Sequence, residues 1–146
     1  MNTLLDFKEE DLILLSKFHD ILKNYSEEFS NRLVEVILSK EETRKLIEES
    51  GVLKDDERAK SLISKVSEFY LSIFSGDSET IAEWFSRIAK THFKNLIPPE
   101  CVISLSSFIV DFTIEKLIIF YKSLIKILGI RRDLLIKLAK YGAEKL

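Results

Sequence analysis

The chain has 146 residues, of which 46% are hydrophobic and 32% are charged; this mixture favours one folded domain and argues against disorder. The net charge is −2, and acidic and basic residues alternate without a basic block, which makes nucleic acid a poor candidate partner. The single cysteine, Cys101, excludes an internal disulfide and a cysteine-ligated zinc site.

The scarcity of turn-forming residues predicts an all-α fold. There are four glycines and two prolines, whereas sheet-rich domains need more of both. The N-terminal sequence MNTLLDFKEEDL is acidic and lacks a signal-peptide core, and no run of about 18 uncharged apolar residues follows. We therefore expect a cytoplasmic protein with no membrane partner. The absence of glutamine, with abundant Ile, Lys and Glu, is typical of a thermophile or of a low-GC genome.

The first third of the chain shows helical periodicity. Apolar residues recur at helical spacing from Lys8 to Tyr25 and again from Phe29 to Ile37. The intervening Ser26–Glu28 marks either a break or a polar face. Residues Ser39–Glu42 predict a connection with an N-cap, after which Leu46-Ile47 continue in helical register.

Polar loops delimit the next predicted helix. The loop Ser50–Asp56 precedes it, with Asp55 or Asp56 as its N-cap. The helix is predicted from Glu57 to Phe74, and Gly76 suits the left-handed position beyond its C-terminus.

Three more predicted helices complete the chain. Asp77 or Ser78 suits the N-cap of a helix predicted from Glu79 to Lys94. The most apolar segment, Pro99–Leu128, follows a short loop, because proline is tolerated in a first helical turn. We expect Gly129 to end this helix and a last helix to occupy Ile130–Leu146. The pattern therefore predicts about seven helices.

His92 is the most informative candidate for a functional site. It shares one apolar helix stripe with Ile81, Phe85 and Ile88, so we expect its ring to point inwards. A largely neutral imidazole, with a reference pKa of about 6.5, is a good ligand for iron. No second ligand lies at chelating spacing, but a haem supplies four nitrogens and needs only one protein ligand. From spacing alone, a core histidine without a ligand is the more common explanation.

Residues 87–103, RIAKTHFKNLIPPECVI, resemble the segment around the haem-ligating histidine of globin-coupled sensors and protoglobins. In that family a short loop, often Gly-Leu-Pro-Pro, follows the histidine, and here His92 and Pro98-Pro99 stand in the matching relation. FYLSIFSG, residues 69–76, is similar to the end of the family's distal helix. The opening segment, residues 7–33, is similar to its first two helices.

The resemblance implies one globin-like domain over residues 1–146, with about seven helices around a haem pocket. It implies that His92 ligates the iron of haem b and that a diatomic gas, O2 or alternatively CO or NO, binds reversibly in a gas or redox sensor. We expect Phe29, Leu62, Val66 and Phe69 to form an apolar distal roof. The other candidate contacts to the haem or its ligand are Ser30, Lys65, Ile88 and Val102, where Lys65 is either a distal contact or a solvated lysine.

Two positions depart from the family pattern. The family commonly has Phe-Tyr where this chain has Phe29-Ser30, and usually Trp-Tyr where it has Cys101-Val102. The missing hydroxyl groups leave open a haem-free globin module that dimerises and docks signalling partners. An enzyme is not expected, because the sequence shows no distal histidine–arginine pair.

The apolar residues of the last two predicted helices also predict a partner. They exceed what one face of a monomer can bury, so we expect a homodimer through these two helices. In the family the last helix usually continues into an output domain. A trimmed sensor domain, with a fused or separate signalling output, and a stand-alone globin are therefore both open.

Overall fold

The computed structural model describes residues 7–145, except for the side chains of residues 130 and 131. The first half of the N-terminal sequence MNTLLDFKEEDL, Met1–Asp6, and the last residue of the predicted final helix, Leu146, lie outside the described residues. Within this range the chain consists of helices joined by short connections, with no strand, which confirms the all-α prediction. The six α-helices are α1 Glu9–Leu22, α2 Ser26–Ser39, α3 Glu41–Ser50, α4 Asp56–Ser72, α5 Ser78–Lys94 and α6 Pro99–Lys145.

Local side-chain chemistry sets several helix ends where the sequence predicted them. The Asp55 carboxylate accepts hydrogen bonds from the backbone N–H groups of Glu57 and Arg58 at 3.0 and 3.3 Å, and Asp77 caps α5 in the same way. Gly76 adopts φ +74°, and a Cβ there would lie 2.9 Å from the Ser16 Cβ. Glycine therefore serves both the left-handed turn and its close approach to α1.

The break near Ser26 lies just before that residue. A single 3-10 turn, Lys23–Tyr25, separates α1 from α2, and a second, Val52–Lys54, separates α3 from α4. The predicted connection at Ser39–Glu42 is present, although the N-cap residue of α3, Lys40, makes no side-chain cap hydrogen bond.

The predicted boundary at Gly129 is wrong. Helix α6 runs without interruption for 47 residues, so the two predicted last helices are one and the described chain has six α-helices. Glycine inside a helix costs only about 1 kcal/mol relative to alanine. Good helix formers lie on both sides of Gly129, and it does not adopt the positive φ that ends α3 at Gly51.

The chain divides into two compact units, residues 1–112 and 113–146. In the first unit α2 and α4 make the most extensive contact of any helix pair. The buried apolar residues of this unit are Leu22, Phe29, Tyr70, Phe74, Ile81, Cys101 and Phe112. In the second unit every described side chain from Ile118 to Lys145 is exposed. None of the described helices is long and apolar enough to span a membrane.

Candidate functional site

His92 lies in the last turn of α5, on the helix face that begins with the fully buried Ile81. Ile88, one turn before the histidine on this face, is half-buried, and Phe85 is 42% exposed. The imidazole itself is half-buried. The amphipathic pattern therefore places His92 at the open end of an apolar stripe.

Burial lowers the pKa of His92 below its ordinary value of 6.5, because a partly dehydrated imidazole is less stable when it is charged. The ring is therefore neutral at cellular pH, which is the state that ligates metals. No described residue forms a hydrogen bond or ion pair with the ring. Within residues 7–145 no group of three His, Cys, Asp or Glu side chains could hold a metal ion.

The chain after His92 forms a tight C-terminal cap on α5. The N–H of Leu96 donates to the Phe93 carbonyl at 3.1 Å, and the N–H of Ile97 donates to the His92 carbonyl at 3.0 Å. Leu96 adopts φ +54° and is the only non-glycine residue of the described range with a positive φ. Sequence reasoning missed this cap, because leucine is not a residue that indicates a left-handed turn.

Helix α4 meets α5 through aromatic side chains. The Phe69 ring lies 5.4 Å from the Phe85 ring in an edge-to-face arrangement and 6.5 Å from the Trp84 ring. Phe69 is thus the predicted roof residue that contacts the His92-bearing helix. Of the other candidates, Leu62, Val66 and Val102 are half-buried and Lys65 is exposed.

Phe29 lies in a buried aromatic cluster. Its ring stacks on the Tyr70 ring at a centroid distance of 4.0 Å. It also contacts the rings of Phe108 and Phe112 at 5.5 and 5.3 Å. Phe29 of α2 therefore packs against α4 and the first part of α6, where it is fully buried.

Ser30 is fully buried beside Phe29 and belongs to a polar contact between α2 and α4. Its Oγ lies 2.6 Å from the Ser67 Oγ, and both hydroxyl groups lie 3.1 Å from the Ser26 carbonyl oxygen. Ser67 carries no sequence signal, because a serine inside a helix pattern does not indicate a partner.

The contacts described thus link Phe69 to α5 and place Phe29 and Ser30 in the packing between α2 and α4. The roles of all nine candidate residues toward a cofactor stay predictions. The residues on the face of His92 nevertheless fit a haem: the imidazole is neutral, no described residue forms a hydrogen bond with it, and the helix face that leads to it carries Ile81, Phe85 and Ile88. A haem supplies four nitrogen ligands of its own, so one neutral imidazole from the protein would be enough to hold it.

Comparison with known proteins found one family match. The sequence model of a protein family described as Protoglobin matches residues 1–137. No curated protein and no solved structure matches the chain.

Proposed function

The chain belongs to the protoglobin family, and on that premise we propose that it binds one haem b through His92 and reversibly binds a diatomic gas as a sensor domain. Membership implies an all-α globin fold and a haem cofactor in general. The observation that supports His92 as the ligand is its half-buried, uncharged ring at the end of an apolar helix face.

Each neighbouring residue has a definite task in this proposal. A bound haem supplies an iron centre that takes up a small gas molecule reversibly. His92 donates a nitrogen lone pair, while Phe69 and Phe85 exclude water from the α4–α5 side. Ile88 and Val102 add apolar surface, and Lys65, which is exposed, is available to a haem carboxylate.

We propose that the gas-binding side of the haem pocket favours O2 only weakly over CO and NO. Ser30 stands where the family commonly has tyrosine, and its hydroxyl is engaged with Ser26 and Ser67. A hydrogen-bond donor stabilises a polar O2 ligand more than CO, so its loss shifts preference towards CO and NO.

Absorption spectroscopy of the purified protein tests the haem proposal. We expect a Soret band in the parent protein and in His19→Ala, which removes the other of the two histidines. The band should be lost in His92→Ala. An unchanged band in His92→Ala would contradict His92 as the ligand.

The alternative function, a haem-free globin module that dimerises and docks partners, has its own support. Phe29 and Tyr70 stack at 4.0 Å, and Ser30 is fully buried, so these positions are occupied by protein packing. A protein that stays colourless after haem is added would favour this module over the haem sensor.

Self-association is part of the proposal. The second unit exposes the apolar side chains Ile118, Tyr121, Leu124, Ile125, Leu128, Leu134, Leu135, Leu138 and Tyr141. Such a surface is unusual in a soluble monomer. We propose that a second copy of the chain covers it, which makes the protein a homodimer along α6.

The remaining parts of the proposal come from the sequence. We propose that the protein is a cytoplasmic sensor and that it passes its signal to a fused or separate output domain. We expect no peroxidase turnover, because the chain offers no distal histidine–arginine pair. A thermophilic source stays a prediction, which rests on the absence of glutamine and the abundance of Ile, Lys and Glu.

A further inference from the structure

Leu96 is held in a conformation that its side chain does not favour. Its φ is +54°, in the left-handed region where a Cβ collides with the backbone. The side chain is 82% exposed, so packing of the leucine does not compensate for this backbone strain. Strain of this kind persists only where surrounding interactions impose it, and it concentrates at functional sites.

The interactions that impose it are the two cap hydrogen bonds. The Leu96 N–H to Phe93 carbonyl bond and the Ile97 N–H to His92 carbonyl bond together form the helix-ending arrangement in which glycine normally occupies the left-handed position. One of the two bonds ends on the backbone of His92 itself. The left-handed conformation of Leu96 is therefore required for the bond that fixes the histidine's carbonyl.

We propose that Leu96 is a positioning residue for His92, a strained cap that opens more readily than a glycine cap and so sets how firmly the last turn of α5 holds the imidazole. When the cap opens, the His92 carbonyl loses its partner and the last turn frays. When it closes, the ring is held on its apolar stripe. The functional part of this inference rests on the proposal that His92 ligates haem.

Three variants of Leu96 separate backbone strain from the side chain. All three variants remove the exposed leucine side chain. Glycine relieves the backbone strain fully, asparagine relieves part of it, and alanine keeps it. Hydrogen exchange of the Ile97 amide, followed by NMR in the haem-free protein, reports cap opening. We expect exchange about fivefold slower in Leu96→Gly than in Leu96→Ala, in line with the usual preference for glycine at such positions. The Asn variant should lie between them.

Two further measurements connect the cap to His92. Carbethoxylation of the His92 ring, with His19 as the internal reference, should be slowest in Leu96→Gly, intermediate in Leu96→Asn and fastest in Leu96→Ala. Transfer of haem to an excess of a scavenger globin should follow the same order of rates. A cap with a purely structural role would change amide exchange and leave the ring and haem transfer unchanged.

Equal exchange of the Ile97 amide in Leu96→Gly and Leu96→Ala would overturn the inference. Slower amide exchange in Leu96→Gly with an unchanged rate of His92 carbethoxylation would overturn it as well. If the Gly, Asn, Ala order holds for exchange and ring modification in a protein that takes up no haem, the cap is upheld and the haem proposal fails. If haem binds through His92 and the order is absent, the haem proposal stands and the cap is refuted.

Discussion

The Oγ atoms of Ser30 on α2 and Ser67 on α4 lie 2.6 Å apart, and each also lies 3.1 Å from the carbonyl oxygen of Ser26. Two hydroxyl hydrogens are available for three contacts, so one serine donates to the carbonyl and the other donates to its neighbour. The arrangement satisfies both hydroxyl groups without water. It also leaves no room for a larger side chain at position 30, which is fully buried.

Ser30→Tyr should therefore destabilise the protein, although it restores the residue that the family commonly has here. Overpacking of a filled site lowers the free energy of unfolding by about 1–3 kcal/mol, and Ser30→Ala should cost about 1 kcal/mol for the lost hydrogen bond. Urea unfolding measures both. The control is Ser61→Tyr at an exposed position of α4, where we expect a change within about 0.5 kcal/mol. A Ser30→Tyr variant as stable as this control would indicate that position 30 faces open space.

The aromatic cluster should dominate the stability of the first unit. Phe29 is fully buried and stacks on Tyr70, so Phe29→Ala is expected to lower the free energy of unfolding by about 3–5 kcal/mol. The matched control is Phe93→Ala, because that ring is 85% exposed and its removal leaves no cavity. Urea unfolding of the two haem-free variants makes the comparison. Similar losses in both would mean that the core lies elsewhere.

The stability of the haem-free protein should fall as the pH is lowered through about 6.5, the pKa of an unfolded histidine. Burial lowers the pKa of His92 in the folded state, so below this pH the unfolded chain binds more protons than the folded one. Protonation then favours unfolding, and the stabilising effect of higher pH is complete above the pKa of the unfolded histidine. Thermal unfolding measured from about pH 8 to pH 5 should show this loss of stability.

His92→Gln should flatten this pH dependence, because glutamine cannot titrate. The matched control is His19→Gln, which removes the other of the two histidines and should keep the pH dependence of the parent protein. An unchanged slope in His92→Gln would show that some other group causes the loss of stability.

Local chemistry explains which parts of the fold could be predicted. Asp55 and Asp77 cap helices because a short carboxylate reaches the N–H groups two and three residues ahead. Gly76 adopts the left-handed conformation that glycine tolerates. The helix positions of Ile81, Phe85, Ile88 and His92 follow from a repeat of three and four residues. Each of these features depends only on neighbours in the chain.

The missed features depend on distant or competing interactions. The Ser30–Ser67 contact joins residues 37 positions apart, which no local pattern encodes. Leu96 adopts a glycine-like conformation because the cap hydrogen bonds impose it against the preference of leucine. At Gly129 the local signal gave the wrong answer, because strong helix formers on both sides outweigh the modest penalty of one glycine.

The exposed apolar residues of the second unit predict a dimer. Leu134 and Leu138 are 56% and 57% exposed, one helical turn apart. On a helical projection the apolar residues of this unit cover most of the circumference. Seven of the eleven charged residues of this unit share one narrow strip of the projection, namely Glu115, Lys122, Lys126, Asp133, Lys137, Lys140 and Glu144. A stable interface buries at least about 1,000 Å² of apolar-rich surface, and pairing with a second copy would remove these side chains from water.

The double variant Leu134→Glu/Leu138→Glu should therefore separate the copies, because burial of uncompensated carboxylates in an apolar interface is strongly unfavourable. Sedimentation equilibrium at micromolar concentration should give twice the 17.0 kDa of one chain for the parent protein and a single-chain mass for the double variant. Lys137→Glu introduces a carboxylate into the charged strip of the same helical segment and should remain dimeric. A parent protein that sediments as a single chain would refute the dimer. A double variant that stays dimeric would place the interface away from Leu134 and Leu138.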